Sequence, residues 1–182
     1  MREMPLSKVF QLLEPGPVVL LTTASSRKAN IMTMSWHMMM EFTPPRIGCV
    51  VSSGNCSYRA LRRNKECVIA IPALDIASVT VEIGNCSGRD VDKFKKFGLT
   101  PLPAEKVGAP LVGECLANLE CRVINTTLTA RYCLFVLEVV KAWRNPARRE
   151  RRTLHANGDG TFVIDGKTLN LKARMTKWPQ FI

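Results

Sequence analysis

The feature that most constrains the fold is a two-residue alternation over residues 114–124. Apolar Cys115, Leu119 and Val123 occupy one set of positions, and polar residues such as Asn118 and Glu120 occupy the other. A period of two is that of a β-strand, whose successive side chains point to opposite faces of a sheet. The pattern predicts a half-buried antiparallel strand. A turn at residues 125–127 and a long partner strand over residues 131–143 follow it.

The other β-prone segments also follow one another as in hairpins, without regular βαβ alternation. We predict strands at residues 18–23, 30–40, 47–53, 67–71 and 161–164, the last between two tight turns. We predict short helices at residues 7–13, 58–64 (capped by Ser57), 75–83 and 90–97, with Gly98 ending the last one. This order is typical of a mainly β protein, an antiparallel barrel or sandwich with a few short helices appended. At 182 residues, residues 1–182 are expected to form one domain.

The charge of the chain is strongly basic, with a formal net charge of +11. The densest cluster lies in residues 141–152, which we interpret as a basic loop after a strand. Such a loop is compatible with a solvated turn, a nucleic-acid surface, a docking surface for an acidic protein, or a contact for a nucleotide phosphate. No nucleic-acid-binding motif accompanies the charge, which argues against nucleic acid as the partner.

Several classes of function lack their sequence signals. No apolar run approaches the roughly 18 residues of a membrane span, and the first residues do not resemble a signal peptide, so a cytoplasmic location is expected. Seven cysteines without a C-x-x-C pair and only two histidines predict no metal site. Cys56 and Cys86 lie in polar turns, where a redox-sensing role stays open. The motifs of serine hydrolases, P-loop enzymes and Rossmann domains are absent.

Three polar turns predict a cradle for a phosphate and a sugar. They lie at residues 22–26, 52–57 and 85–89, and the last two precede predicted helices. Small residues let backbone N–H groups approach an anion, and a helix N-terminus adds partial positive charge. Arg89 and Lys93 stand beside the third turn. The alternative is that these turns only cap helices, as such turns do in most proteins.

The predicted strand at residues 30–40 is rich in Met, and its polar residues do not alternate cleanly. One interpretation is an edge or interface strand in which Met fills gaps. The other is a strand whose backbone and whose Asn30, Thr33 and Ser35 side chains meet a flat polar ring, with Trp36 shielding that ring.

Taken in order, these segments resemble the flavin reductase-like proteins, which bind FMN in a split β-barrel, and especially their flavoredoxin and ferric reductase branch. The matching motifs are PVVLLTT at residues 17–23, NIMTMSWH at 30–37, FTPP at 42–45, CVIAIP at 67–72, SG at 87–88, DKF at 92–94, GLT at 98–100, APL at 109–111, EC at 114–115 and LEC at 119–121. The resemblance implies an antiparallel barrel of Greek-key type, a homodimer, and FMN near the subunit interface.

The resemblance also implies which residues bind the cofactor. Contacts to the flavin ring and the ribityl chain are expected from Asn30, Met32, Thr33, Ser35 and Trp36. Phosphate or ribityl contacts are expected from Ser52, Ser53 and Ser57, and a second phosphate cluster from Ser87, Gly88 and Lys93. Phe162 is expected to cover the flavin.

The implied activity is reduction of bound FMN by NADH or NADPH, followed by electron transfer to iron(III), free flavin or an acidic redox protein. Some flavin reductases carry a His on the strand equivalent to residues 135–140, and none stands there in this chain. Its absence favours an electron-transfer flavoredoxin over a dedicated free-flavin reductase. The alternatives are an FMN carrier without catalysis and a basic nucleic-acid-binding β-barrel.

Overall fold

We describe the protein from a computed structural model, which describes residues 1–9, 13, 16–25 and 28–174. The strands are β1 (Arg2–Met4), β2 (Val19–Ser25), β3 (Lys28–Met34), β4 (His37–Phe42), β5 (Pro45–Val50), β6 (Glu66–Ile71), β7 (Pro101–Leu102), β8 (Leu111–Val112), β9 (Ala117–Asn125), β10 (Leu134–Arg144), β11 (Leu154–Ala156) and β12 (Phe162–Ile164). The α-helices are α1 (Cys56–Asn64), α2 (Ala77–Gly84), α3 (Lys93–Lys96) and α4 (Thr129–Tyr132). Short 3₁₀ helices cover Leu6–Lys8, Leu74–Ile76 and Lys172–Arg174.

The main sheet has the strand order β3-β2-β6-β9-β10-β5-β4, and β1 also pairs with β10. All of these pairs are antiparallel. Strands β3 and β4 lie at opposite ends of this order, although only Ser35 and Trp36 separate them in the chain. Three residue steps reach at most about 11 Å, so the sheet curls until its two ends are neighbours. The result is a barrel, and the mainly β, antiparallel fold class predicted from the sequence is confirmed.

The core of the barrel is built from alternate residues of its strands. Leu21, Ile47, Ile69, Leu119 and Leu137 are fully buried in one hydrophobic cluster. Two smaller clusters lie under α2 and α3 and under the connection that contains β7 and β8. The barrel therefore presents a rigid frame from which the loops at its ends project.

The single strand predicted over residues 30–40 is wrong, because β3 ends at Met34 and β4 begins at His37. At Ser35 and Trp36 the chain crosses from one end of the strand order to the other. Residues 30–40 therefore cannot form a single strand with one continuous set of hydrogen bonds. Both residues are exposed at this crossing.

The prediction of a half-buried strand at residues 114–124 is also wrong in two respects. The strand begins at Ala117, and over its first five residues both faces are covered, since Asn118 and Glu120 are fully buried while Arg122 is exposed. The connection of residues 99–113 folds over the polar face. Backbone N–H groups of Glu105 and Lys106 donate to the Glu120 carboxylate at 3.1 and 2.5 Å, which offsets the cost of burying it.

The helices lie close to where the sequence predicted them, but their bounds differ from the predicted ones. Helix α1 begins at Cys56 with Asn55 at its N-cap, so Ser57 is not its cap and lies inside the first turn. The helix predicted over residues 90–97 is only the short α3, capped by Asp92, and Gly98 follows it with φ +63°. Of the helix predicted at residues 7–13, residues 10–12 lie outside the described residues.

The strand predicted at residues 161–164 is observed as β12, which pairs with β11 in a hairpin. Within the described ranges, no helix is long and apolar enough to cross a membrane.

Candidate functional site

Two polar loops, the first turn of α1 and one strand line a cavity of about 320 Å³. One loop joins β5 to α1, the other joins α2 to α3, and the strand is β3. The predicted residues that line this cavity are Asn30, Met32, Ser57, Ser87, Gly88 and Lys93. We call this cavity the cradle. Residues that the sequence placed in two separate turns and a strand are therefore brought together in space.

A second cavity of about 250 Å³ adjoins the cradle, since Met32 and Asn55 line both. It lies at the crossing from β3 to β4 and contains Thr33, Ser35, Trp36 and Ser52. The Trp36 side chain is 72% exposed there. Thr33 also has a structural role, because its hydroxyl donates to the carbonyl of Thr80 in α2 at 2.5 Å.

Two predicted residues lie outside both cavities. Ser53 is exposed in the loop before α1, and Phe162 pairs with Ala156 in the hairpin of β11 and β12. The turn predicted at residues 22–26 is wrong for its described part, because residues 22–25 belong to β2 and line no part of the cradle. Ser26 lies outside the described residues.

Asn30 is the most constrained residue of the cradle. Its side chain is 92% buried, and its Nδ2 donates to the hydroxyl of Ser57 at 3.0 Å. Its Oδ1 has no hydrogen-bond partner among the described residues. An unsatisfied buried acceptor costs about 1–3 kcal/mol. Such an atom in the wall of a cavity is well placed to accept a hydrogen bond from a ligand.

Residue 88 has to be a glycine because its backbone lies against the side chain of Asn30. A Cβ built on Gly88 would lie 1.9 Å from Asn30 Oδ1, far inside van der Waals contact. Any other residue here would displace the Asn30 amide from its position. The backbone of the loop between α2 and α3 thus lies directly against β3, as in many sites where a ligand meets the main chain.

Lys93 places a buried positive charge in the cradle. It is 5% exposed, and its Nζ donates to the carbonyl of Ile83 at 2.8 Å. No carboxylate of the described residues forms an ion pair with it. Burial lowers the pKa of Lys93 from its ordinary value, and the nearby thiols of Cys86 and Cys56 oppose that lowering. A buried cation without a protein counter-charge favours an anionic ligand.

The N-terminus of α1 adds to the positive potential. Asn55 at the N-cap makes no side-chain hydrogen bond to the first turn, and Asn55, Cys56 and Ser57 line the cradle. The first backbone N–H groups of a helix lack helical acceptors, and the helix dipole favours negative charge near them. With Lys93 they define a site suited to a phosphate group.

The sequence placed Cys56, Cys86 and Arg89 in the turns of the predicted cradle but did not name them as cofactor contacts, and all three line the cradle. Their signal was their position inside the predicted polar turns. Arg89 also joins the two loops, because its Nη2 donates to the carbonyl of Gly54 at 2.9 Å.

The basic segment of residues 141–152 is only partly a loop, and much of its charge is paired. Lys141 lies on β10 and contacts Glu105 at 2.7 Å, Arg148 pairs with Asp75, and Arg152 pairs with Glu150. Arg144, Arg149 and Arg151 are exposed and form no ion pair with the described residues.

The fold and this site define a class: a curled antiparallel barrel with a polar cradle, lined by a buried lysine, beside strand β3. A family model described as a flavin reductase like domain matches residues 12–162. The uncharacterized protein YddH of Escherichia coli K12 is 36% identical over 172 residues, which cover 86% of this chain and 90% of that protein. The chain therefore belongs to the flavin reductase-like family, and the resemblance seen in its motifs is confirmed.

Solved structures agree with this assignment. The FMN-binding domain of a flavin reductase-like enzyme from Shewanella baltica OS155 is 26% identical, with a TM-score of 0.86, and the match covers 92% of this chain and 95% of that one. Flavoredoxin of Desulfovibrio vulgaris (Miyazaki F) is 25% identical, with a TM-score of 0.77 and coverage of 85% and 89%. The barrel is thus the split barrel of this family.

Proposed function

We propose that this protein is an FMN-binding oxidoreductase of the flavoredoxin type. In this proposal it accepts hydride from NADH or NADPH and passes electrons to an acceptor such as iron(III), free flavin or an acidic redox protein. The observation that carries the proposal is the buried Lys93 ammonium, which forms no ion pair with the described residues and lines a polar cavity in a flavin reductase-like fold. Similarity to the FMN-binding domain from Shewanella baltica supports FMN as the ligand, and similarity to a flavoredoxin from Desulfovibrio vulgaris supports the flavoredoxin type.

The residues of the cradle fit an FMN phosphate and ribityl chain. Lys93 and the first turn of α1 would neutralise the phosphate, while Ser57 and Ser87 supply hydroxyl groups. Asn30 Oδ1, a buried acceptor without a partner, would accept a hydrogen bond from a hydroxyl or ring N–H of the ligand. Gly88 would keep the loop close enough for its backbone to take part.

The second cavity would take the ring end of the cofactor. Met32, Thr33, Ser35 and Trp36 lie in or beside this cavity, and exposed Trp36 would shield one edge of the ring. Ser52 would lie between the ring and the phosphate. We retain Ser53 and Phe162 as proposed contacts on the resemblance to the family alone.

Bound FMN supplies the two-electron chemistry, so the chain needs no catalytic acid, base or nucleophile of its own. Its residues have three tasks: to hold the phosphate, to orient the ring and to leave one ring face open to the nicotinamide. Exposed Ser35 and Trp36 at the mouth of the ring cavity are compatible with access from solvent.

A homodimer is supported by the apolar surface of β4, which ends the strand order of the main sheet. Met38 and Met40 are 53% and 49% exposed, beside Trp36. A second copy of the chain would cover this strand. For an acidic redox partner, the exposed Arg144, Arg149 and Arg151 are the available docking charges.

An anaerobic titration separates the oxidoreductase from an FMN carrier, which would use the same binding residues. The FMN-loaded protein is mixed with NADH or NADPH, and the flavin absorbance near 450 nm is followed. We expect bleaching at a rate that saturates with the nucleotide, and its return when ferric citrate is added. Bound FMN that neither nucleotide reduces would contradict catalysis and leave the carrier as the function.

A further inference from the structure

A third cavity, of about 370 Å³, begins where the cradle ends and follows one face of α1. The two cavities share Asn30, Cys56, Gly88 and Arg89 in their walls. From Cys56 to Arg63 the helix rises about 10 Å. The volume lies within the range of small-molecule sites, about 300–1,000 Å³. We call this cavity the α1 groove.

The α1 groove is lined by four cationic side chains: Lys28, Arg59, Arg63 and Arg89. None of the four forms an ion pair with the described residues, and no described carboxyl side chain lines the groove. This differs from the basic segment of residues 141–152, where acidic neighbours pair with much of the charge.

Two of the cations are held in place by backbone carbonyls. Lys28 Nζ donates to the carbonyls of Gly88 and Val91, both at 3.2 Å, and Arg89 donates to Gly54. Neutral carbonyls fix the positions of these groups and leave their charge uncompensated. The charges therefore stand at defined points in the wall of the groove.

The other two cations lie on α1. Arg59 and Arg63 are four residues apart, so they project from the same face of the helix, where like charges repel by a few tenths of a kcal/mol. A concave surface of one sign concentrates its field within the cavity. A ligand with additional phosphate groups would relieve this repulsion.

We propose that the α1 groove is a second phosphate subsite, which binds the adenylate half of a dinucleotide beside the flavin phosphate. The proposal rests on the proposed function, because the cradle fixes where the flavin phosphate lies. Two ligands carry this chemistry. One is FAD, whose AMP half continues directly from the flavin phosphate, and the other is NADPH, whose adenosine end carries a further phosphate.

Binding to the full-length protein, freed of flavin, tests the proposal. Calorimetric titrations with FMN and with FAD are made on the wild type, on Arg63→Gln and on the double variant Arg59→Gln/Arg63→Gln. The matched control is Arg62→Gln, which removes the same charge from the next residue. Arg62 is directed elsewhere, with its guanidinium 6.0 Å from the centre of the Tyr58 ring. A second arm titrates the FMN-loaded proteins with 2′,5′-ADP, a probe for the NADPH end.

In the FAD arm, we expect the double variant to raise the Kd for FAD about tenfold, since two exposed ion pairs between arginine and phosphate are lost. FMN affinity should stay within twofold in every variant, which also shows that the variants fold. In the NADPH arm, the same loss for 2′,5′-ADP would assign the groove to the pyridine nucleotide.

The proposal is overturned if neither FAD nor 2′,5′-ADP loses affinity in the double variant, or if Arg62→Gln causes the same loss as Arg63→Gln. Failure of the wild type to bind FMN would instead contradict the proposed function. In that case the flavin-free protein is titrated with 2′,5′-ADP. If the double variant binds 2′,5′-ADP as tightly as the wild type, the proposed subsite is overturned whatever the result with FMN.

Discussion

Two groups of buried polar residues in this protein differ in how fully the chain itself satisfies them. On β9, the carboxylate of Glu120 accepts hydrogen bonds from two backbone N–H groups and from the indole of Trp143 at 2.6 Å. In the cradle, Asn30 Oδ1 has no partner among the described residues, and the ammonium of Lys93 has one hydrogen bond to a neutral carbonyl.

This difference distinguishes buried polar groups that stabilise the fold from buried polar groups that are available to bind a ligand. Burial of a charge is tolerated when hydrogen bonds replace its hydration. At Glu120 the chain itself supplies the hydrogen bonds that replace water. At Lys93 it supplies one acceptor, whereas an ammonium group has three donors. The first group should therefore control stability, and the second should control ligand binding.

The largest expected effect is on stability, at Glu120. Glu120→Gln replaces one acceptor oxygen with an NH₂ group that faces N–H donors, so it should lower the free energy of unfolding by about 2–4 kcal/mol. Urea denaturation followed by circular dichroism measures this loss. Glu138→Gln on β10 is the control, because Glu138 is partly exposed with one ion pair, to Arg46 at 3.7 Å, worth at most about 1 kcal/mol. If both variants lost the same free energy of unfolding, Glu120 would have no special role in stability.

At Gly88 the expected effect is on binding. Gly88→Ala places a Cβ where Asn30 Oδ1 now lies, so the amide moves and the cradle loses its shape. We expect the Kd for FMN to rise about a hundredfold, equivalent to about 2.7 kcal/mol, as measured by quenching of flavin fluorescence. Gly166→Ala is the control, since nothing lies within 4 Å of its added Cβ. An unchanged affinity in Gly88→Ala would place the ligand elsewhere.

A smaller effect concerns pH. Because burial lowers the pKa of Lys93, the unfolded chain binds more protons at this residue than the folded chain in the window between the lowered pKa and about 10.5, the ordinary value for lysine. Stability of the flavin-free protein therefore rises with pH through that window on account of Lys93. Comparison of wild type with Lys93→Met by urea denaturation at several alkaline pH values isolates this contribution. Parallel pH profiles would contradict it.

Local patterns were sufficient to predict much of the fold and the members of the cradle. The alternation around Leu119 predicted a strand, and the polar turns before α1 and α3 predicted the loop that leads into Ser57 and the loop that carries Gly88. The contacts between these segments are long-range, however. No local signal shows that Asn30 bonds Ser57 or that Gly88 lies against Asn30.

The errors have the same origin. Glu120 looked exposed because its polarity matched a solvated face, and only the tertiary position of residues 99–113 buries it. The break between β3 and β4 follows from closure of the barrel, and the only local sign of it in residues 30–40 is the uneven alternation of polar residues. Charge in the sequence was also misleading in part. Arg148 and Arg152 are paired, while Arg59 and Arg63 form no ion pair with any residue that the structure describes.

The most direct test of the cradle compares FMN with riboflavin, which lacks the phosphate, on Lys93→Met and on Lys95→Met, a matched change at an exposed residue of α3. We predict that Lys93→Met weakens FMN binding at least about tenfold, since a charge-assisted bond is lost, and leaves riboflavin affinity within twofold of wild type. Lys95→Met should change neither. FMN affinity that is the same in Lys93→Met and wild type would contradict the assignment of the cradle to the flavin phosphate.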